Sequence, residues 1–78
     1  MEVTIGGTKF SLTKEQVLLA MKKEEPEPVR TYGVKLHGKV YPCKQVLGKI
    51  TGLPRAKFNA HQAYRVLERL GLSVTTTP

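Results

Sequence analysis

A chain of 78 residues, 40% of them hydrophobic and 24% charged, has the length and composition of one small globular domain; it is too short for two domains, leaves little room for a cofactor cavity, and is too apolar for a disordered tail. Nine of its thirteen bases but one of its six acids lie beyond residue 28, so the net charge of +7 makes a directional field that attracts polyanions, nucleic acid first among them. With one cysteine, Cys43, no internal disulfide is possible, and with no signal-like or membrane-length apolar run the expectation is a soluble cytoplasmic protein that neither enters nor spans a membrane.

Residues 2–12 alternate Val3 and Ile5 with polar side chains, pass through Gly6-Gly7, and alternate again at Phe10 and Leu12. That pattern predicts a β-hairpin. Thr13 followed by Gln16 is a capping box, which opens a first helix running to about Lys23. Val17, Leu18, Ala20 and Met21 form its inward stripe, and Lys22 and Lys23 in its last turn suit the helix dipole. Glu24-Glu25-Pro26-Glu27-Pro28 stops that helix, because two prolines remove donors and push the preceding residues out of the α region.

Residues 29–41 alternate Tyr32, Val34 and Leu36, then Val40, around His37-Gly38. A second hairpin is predicted, with Lys35 and Lys39 on its polar face. Pro42 suits the first position of a second helix carrying Val46, Leu47 and Ile50 inward and ending at Gly52. A basic connection follows, with Leu53 and Phe58 as core anchors. Asn59 and Gln62 form a second capping box. The third helix then gathers Ala60, Ala63, Tyr64, Val66, Leu67 and Leu70 on one side, and His61, Gln62, Arg65, Glu68 and Arg69 on the other. Gly71 ends it, and Leu72 to Thr75 predict a short last strand.

The third helix is the candidate contact surface. Arginine pairs bidentately with guanine and glutamine with adenine, so a face bearing Gln62, Arg65 and Arg69 beside His61 can read a major groove. Its N-terminus at Asn59 is a natural phosphate site, and Arg55 and Lys57 lead into it. A surface helix also carries such a face simply to stay solvated. The second helix, connection and third helix have the order of a helix-turn-helix over residues 29–75. Their connection is longer than the roughly three or four residues usual for that motif, which a winged-helix variant tolerates better. The second hairpin would be a basic wing through Arg30, Lys35 and Lys39, although strand lysines also protect exposed edges from aggregation. Lys44 and Lys49 are candidate phosphate contacts. Tyr41 stands at a strand-to-helix corner, either packed or free to stack on a base.

Cys43, His37 and His61 are the only soft metal ligands, and no pair has finger-like spacing, so no metal site is expected. The chain has no Asp, and its basic part lacks the paired carboxylates that two-metal nuclease chemistry requires. Cys43 with a histidine is too generic a pairing to predict a nucleophile. No catalytic residue and no cofactor are therefore assigned.

The stretch Val40 to Gly71 carries Tyr41-Pro42-x-Lys44-x-Val46-Leu47, Thr51-Gly52-Leu53-x-Arg55, Phe58-x-x-His61-x-Ala63 and Leu67-x-x-Leu70-Gly71. It resembles a segment of small, mostly uncharacterised bacterial proteins. It is also loosely similar to DNA-recognition portions of HNH restriction-type endonucleases. The likeness covers 32 of the 78 residues. It implies a bacterial protein linked to DNA by binding and not by cleavage, since no HNH half is present.

The sequence therefore predicts a single α+β domain, winged-helix-like, that binds DNA without catalysis. Lys44, Lys49, Arg55 and Lys57 would hold phosphates, and Gln62, Arg65 and Arg69 would face base edges. RNA or an acidic protein is the alternative partner, and the protein would act as a monomer or homodimer.

Overall fold

The computed structural model describes residues 1–76. Strands β1 (Glu2–Ile5) and β2 (Thr8–Ser11) pair antiparallel with Ile5 opposite Thr8. Gly6 and Gly7 both have positive φ, 57° and 82°. That is the two-residue turn whose twist matches the strands it joins, and glycine adopts it without a Cβ penalty. At the open end the amide of Leu12 donates to the Met1 carbonyl at 2.8 Å, and the Met1 ammonium donates to the Leu12 carbonyl at 2.7 Å.

Helix α1 (Lys14–Ala20) starts at the predicted capping box: the Gln16 amide donates to Thr13 Oγ1, and the Thr13 amide donates to Gln16 Oε1. It stops at Ala20, three residues before Lys23, so Lys22 and Lys23 lie beyond it. The cause is tertiary. The buried Tyr41 hydroxyl donates to the Glu24 carbonyl at 2.9 Å and lies 3.5 Å from that of Met21, which favours a turn over another helical residue. The acidic segment continues across α2 (Cys43–Thr51) as a strap. Gln45, only 8% exposed, donates from Nε2 to the Glu25 carbonyl and accepts the Glu27 amide on Oε1. A buried amide side chain satisfied on both sides is the expected way to fix an irregular backbone.

Strands β3 (Tyr32–Leu36) and β4 (Lys39–Pro42) form the second hairpin across His37-Gly38, both at positive φ. Strand β5 (Ser73–Thr76) pairs antiparallel with the other edge of β3, giving the order β4-β3-β5. One expectation fails here. Leu36 lies opposite Lys39, and Lys35 opposite Val40. A two-residue turn pairs residues an odd number of positions apart, Leu36 with Lys39 and Lys35 with Val40, so side-chain parity reverses across it. Tyr41 is therefore buried while Val40 is 42% exposed. Lys35 and Lys39 do not share a face.

Pro42 is the residue before α2 and not its first member, and Gly52 ends that helix in the left-handed conformation at φ 72°. A single 3-10 turn, Arg55–Lys57, leads to α3 (Ala60–Arg69), whose capping box joins Asn59 and Gln62 as predicted. Both helices pack on the face of β3 that carries Val34 and Leu36, and Val46, Leu47, Ala63, Val66 and Leu67 close the core against it. Each large apolar side chain buried there contributes about 1.5–3 kcal/mol. The first hairpin and α1 cap this core with Ile5, Leu12, Val17 and Met21. The architecture is a small single α+β domain, as its patterning predicts.

Candidate nucleic-acid interface

The site is built on α3 and its approach, and the strap decides which bases remain available. Glu24, Glu25 and Glu27 each reach one of the predicted contact residues. Lys49 Nζ lies 3.6 Å from Glu24, Lys39 Nζ lies 3.5 Å from Glu25, and Arg55 makes a two-pronged contact to Glu27 at 2.6 and 2.7 Å. The Arg55 guanidinium, through these hydrogen bonds, holds the Glu27 carboxyl below its ordinary range, and Glu27 raises Arg55 in return. Two of the bases expected on phosphate, Lys49 and Arg55, and the wing lysine Lys39 are thus already matched to carboxylates. Lys35 projects from the sheet face that the helices leave open.

Lys57, Asn59, His61, Gln62, Arg65 and Arg69 remain along α3 and its approach, and Lys44, from the first turn of α2, lines a pocket with Ala60 at the start of α3. Among the described residues no carboxylate pairs with Lys44, Lys57, Arg65 or Arg69. His61, Arg65 and Arg69 recur every fourth residue on the exposed side of α3. That spacing makes one row about 12 Å long at 1.5 Å per residue. Lys44 Nζ stands 5.8 Å from the centre of the Phe58 ring, within cation–π range.

Asn59 and Gln62 are more constrained than a free helix face. Asn59 Oδ1 accepts the Gln62 amide at 2.8 Å, and Gln62 Oε1 accepts the Asn59 amide at 3.1 Å. A bidentate contact to adenine needs both ends of the glutamine amide. The capping box holds Gln62 Oε1 against the backbone, so its amide is not free to turn to a base edge unless the box opens.

Cys43 is fully buried, and loss of solvation pushes its thiol up to about 12. At neutral pH it is an uncharged core residue. His37 Nε2 is 2.7 Å from the Leu18 carbonyl; a carbonyl can only accept, so that nitrogen carries the proton. Tyr41, the corner residue, is packed and 1% exposed.

Sequence reasoning missed an aromatic cluster. Tyr32 from β3 meets Tyr64 from α3 with ring centres 4.7 Å apart, and His61 lies 5.9 Å from Tyr32 and 6.4 Å from Tyr64. Tyr32 also lines a pocket of about 430 Å³, together with Lys44, Arg30, Arg55, Glu27 and Ala60. The spacing of His61 and Tyr64 was a visible signal, since residues three apart on a helix are neighbours. That β3 lies alongside this helix turn was not visible.

The chain matches the SCO5918-like family over residues 1–78 and belongs to it. No curated protein and no solved structure matches the chain.

Proposed function

We propose that this protein binds nucleic acid without catalysis, with duplex DNA as its target. The observation that carries the reading is the row His61, Arg65 and Arg69 on the exposed side of α3, approached by Lys57 and Lys44, with no acid in the chain between Glu27 and Glu68. Phosphates would meet Lys44 and Lys57, and base edges would meet Arg65 and Arg69. In this winged-helix-like arrangement α2, the 3-10 turn and α3 act as the helix-turn-helix, and the β3–β4 hairpin with Lys35 acts as the wing. The protein is then cytoplasmic and nucleoid-associated, as a monomer or homodimer.

A steep salt dependence tests this, because each neutralised phosphate releases condensed counterions. Fluorescence anisotropy with labelled duplex DNA at about 50 and 200 mM salt should show affinity falling by orders of magnitude. Lys57→Ala should weaken all sequences alike and flatten the salt slope by about one, whereas Arg65→Ala should weaken preferred sites by about 1–3 kcal/mol more than random ones. Equal losses on preferred and random DNA for both variants would remove α3 as a recognition helix. No binding at low salt would leave an acidic protein partner as the reading. The Glu27–Arg55 contact favours that second reading, since it shows this surface accepting a carboxylate in a two-pronged geometry.

A further inference from the structure

We infer that the pocket beside α3 takes an unpaired nucleotide, single-stranded or at the end of a duplex, so that this protein favours DNA with an unpaired base next to its contact row. The inference rests on the nucleic-acid reading of α3 and names the form of nucleic acid that the site selects. Three features converge at one place. Tyr32 lines the pocket and is backed by Tyr64 at 4.7 Å. Lys44, Arg30 and Arg55 line it against a single carboxylate, Glu27. Ala60, the first residue of α3, is part of the same wall, so the pocket opens where the row of His61, Arg65 and Arg69 begins.

A flat aromatic surface beside cations is the chemistry that holds a base by its π-face and its phosphate by charge. Base pairing hides that π-face inside a stack, so a duplex interior cannot use Tyr32. An unpaired base can. The volume of about 430 Å³ lies in the range of small-molecule sites, roughly 300–1,000 Å³. Exposed residues form much of the wall, including Arg30, Thr31 and Arg55, and such a site cannot enclose a free nucleotide. A nucleotide tethered to a strand already held along α3 needs no enclosure, because the tether supplies a high effective concentration. The aromatic backing also places both ring partners of Tyr32 on α3, so occupancy of the pocket and of the row are structurally adjacent.

The test compares anisotropy of labelled blunt duplex, the same duplex with a three-nucleotide single-stranded overhang, and thymidine monophosphate as competitor. The wild-type protein should bind the overhang duplex about tenfold tighter than the blunt one. Tyr32→Leu, which keeps apolar bulk without an aromatic face, should bring that ratio close to one. Tyr32→Phe should keep it, because stacking does not need the hydroxyl. Lys44→Gln, at a half-exposed position outside the core, should also lower the ratio and is the check if Tyr32→Leu proves unfolded by circular dichroism. Blunt and overhang duplexes bound equally well by the wild type would overturn the inference and leave the duplex reading standing. Thymidine monophosphate bound with no preference for the overhang would overturn it in favour of a free-nucleotide site. Failure to bind any DNA at low salt would remove both readings together.

Discussion

Gly33 shows how closely single residues of this fold are fitted. A Cβ built there would lie 2.8 Å from Val40 Cγ1, 3.2 Å from Val29 Cγ1 and 3.4 Å from Thr75 Cγ2. All three neighbours are branched, and branched side chains have few rotamers to retreat into. Gly33→Ala should therefore lower stability by about 1–3 kcal/mol, more than the roughly 0.5–1 kcal/mol that alanine gains over glycine in a strand. Thermal denaturation followed by circular dichroism would show this as a drop of several degrees, on the order of 4–8 °C per kcal/mol for a domain of this size. Adding Val40→Ala should recover part of the loss, since the two sites share one clash. An unchanged melting temperature would mean that Val40 moves freely on the open face. The residue scale also sets the limit on Gln62. The sequence carries both its capping partner and its base-reading potential, but the Asn59 amide already engages Gln62 Oε1 and so fixes the direction in which the side chain points.

Among the elements, the strap from Glu24 to Pro28 gains most from partners distant in the chain. Prolines and acids mark it as a helix stop and a loop, and so it is. Its anchoring was not legible, because Tyr41 and Gln45 lie 17 and 18 positions beyond the residues they hold. The strap places a carboxylate on Lys39, Lys49 and Arg55, so it reduces the basic surface available to a polyanion. Glu27→Gln should free Arg55, tighten duplex binding a few-fold at low salt and steepen the salt slope by about one. An unchanged slope would show that Arg55 lies outside the contact. The same pair has a pH signature. The Glu27 carboxyl is lowered in the folded protein, so its stabilising effect is present above the ordinary carboxylate range. It is lost as the pH falls through the lowered value. Both partners are about half exposed, which keeps this contribution modest. Acid titration of wild type and Glu27→Gln should converge at low pH and separate only above it.

The whole molecule is closed by β5. The chain returns from the end of α3 to the free edge of β3, with Val74 opposite Val34 and Leu72 buried just before it. Strand β3 is thereby central, flanked by a neighbour close in sequence and by one about forty residues away. A domain this small has little core to spare. Ending the chain after Gly71 should remove cooperative thermal unfolding and expose β3 as an unpaired edge, seen as a broadened transition and concentration-dependent aggregation. A sharp transition in the truncated protein would mean that helices and hairpins suffice. At this scale no helix among the described residues is long and apolar enough to cross a membrane.

Local order was written in the sequence by itself. Two capping boxes, two positive-φ turns at Gly6-Gly7 and His37-Gly38, and the glycine end of α2 all stand where residue types predict them. The reason is that each depends on bonds between residues at most a few positions apart. The inward stripes of α2 and α3 were equally legible from their period. What only the tertiary structure decided involves partners far apart in the chain. It set which face Lys35 and Lys39 occupy, where α1 ends, which bases the strap neutralises, and that Tyr32 joins His61 and Tyr64. Sequence spacing reports neighbours on one element. Charge pairing, hairpin parity and the meeting of a strand with a helix depend on how elements are placed against one another, and that placement is set by the packing of the whole core.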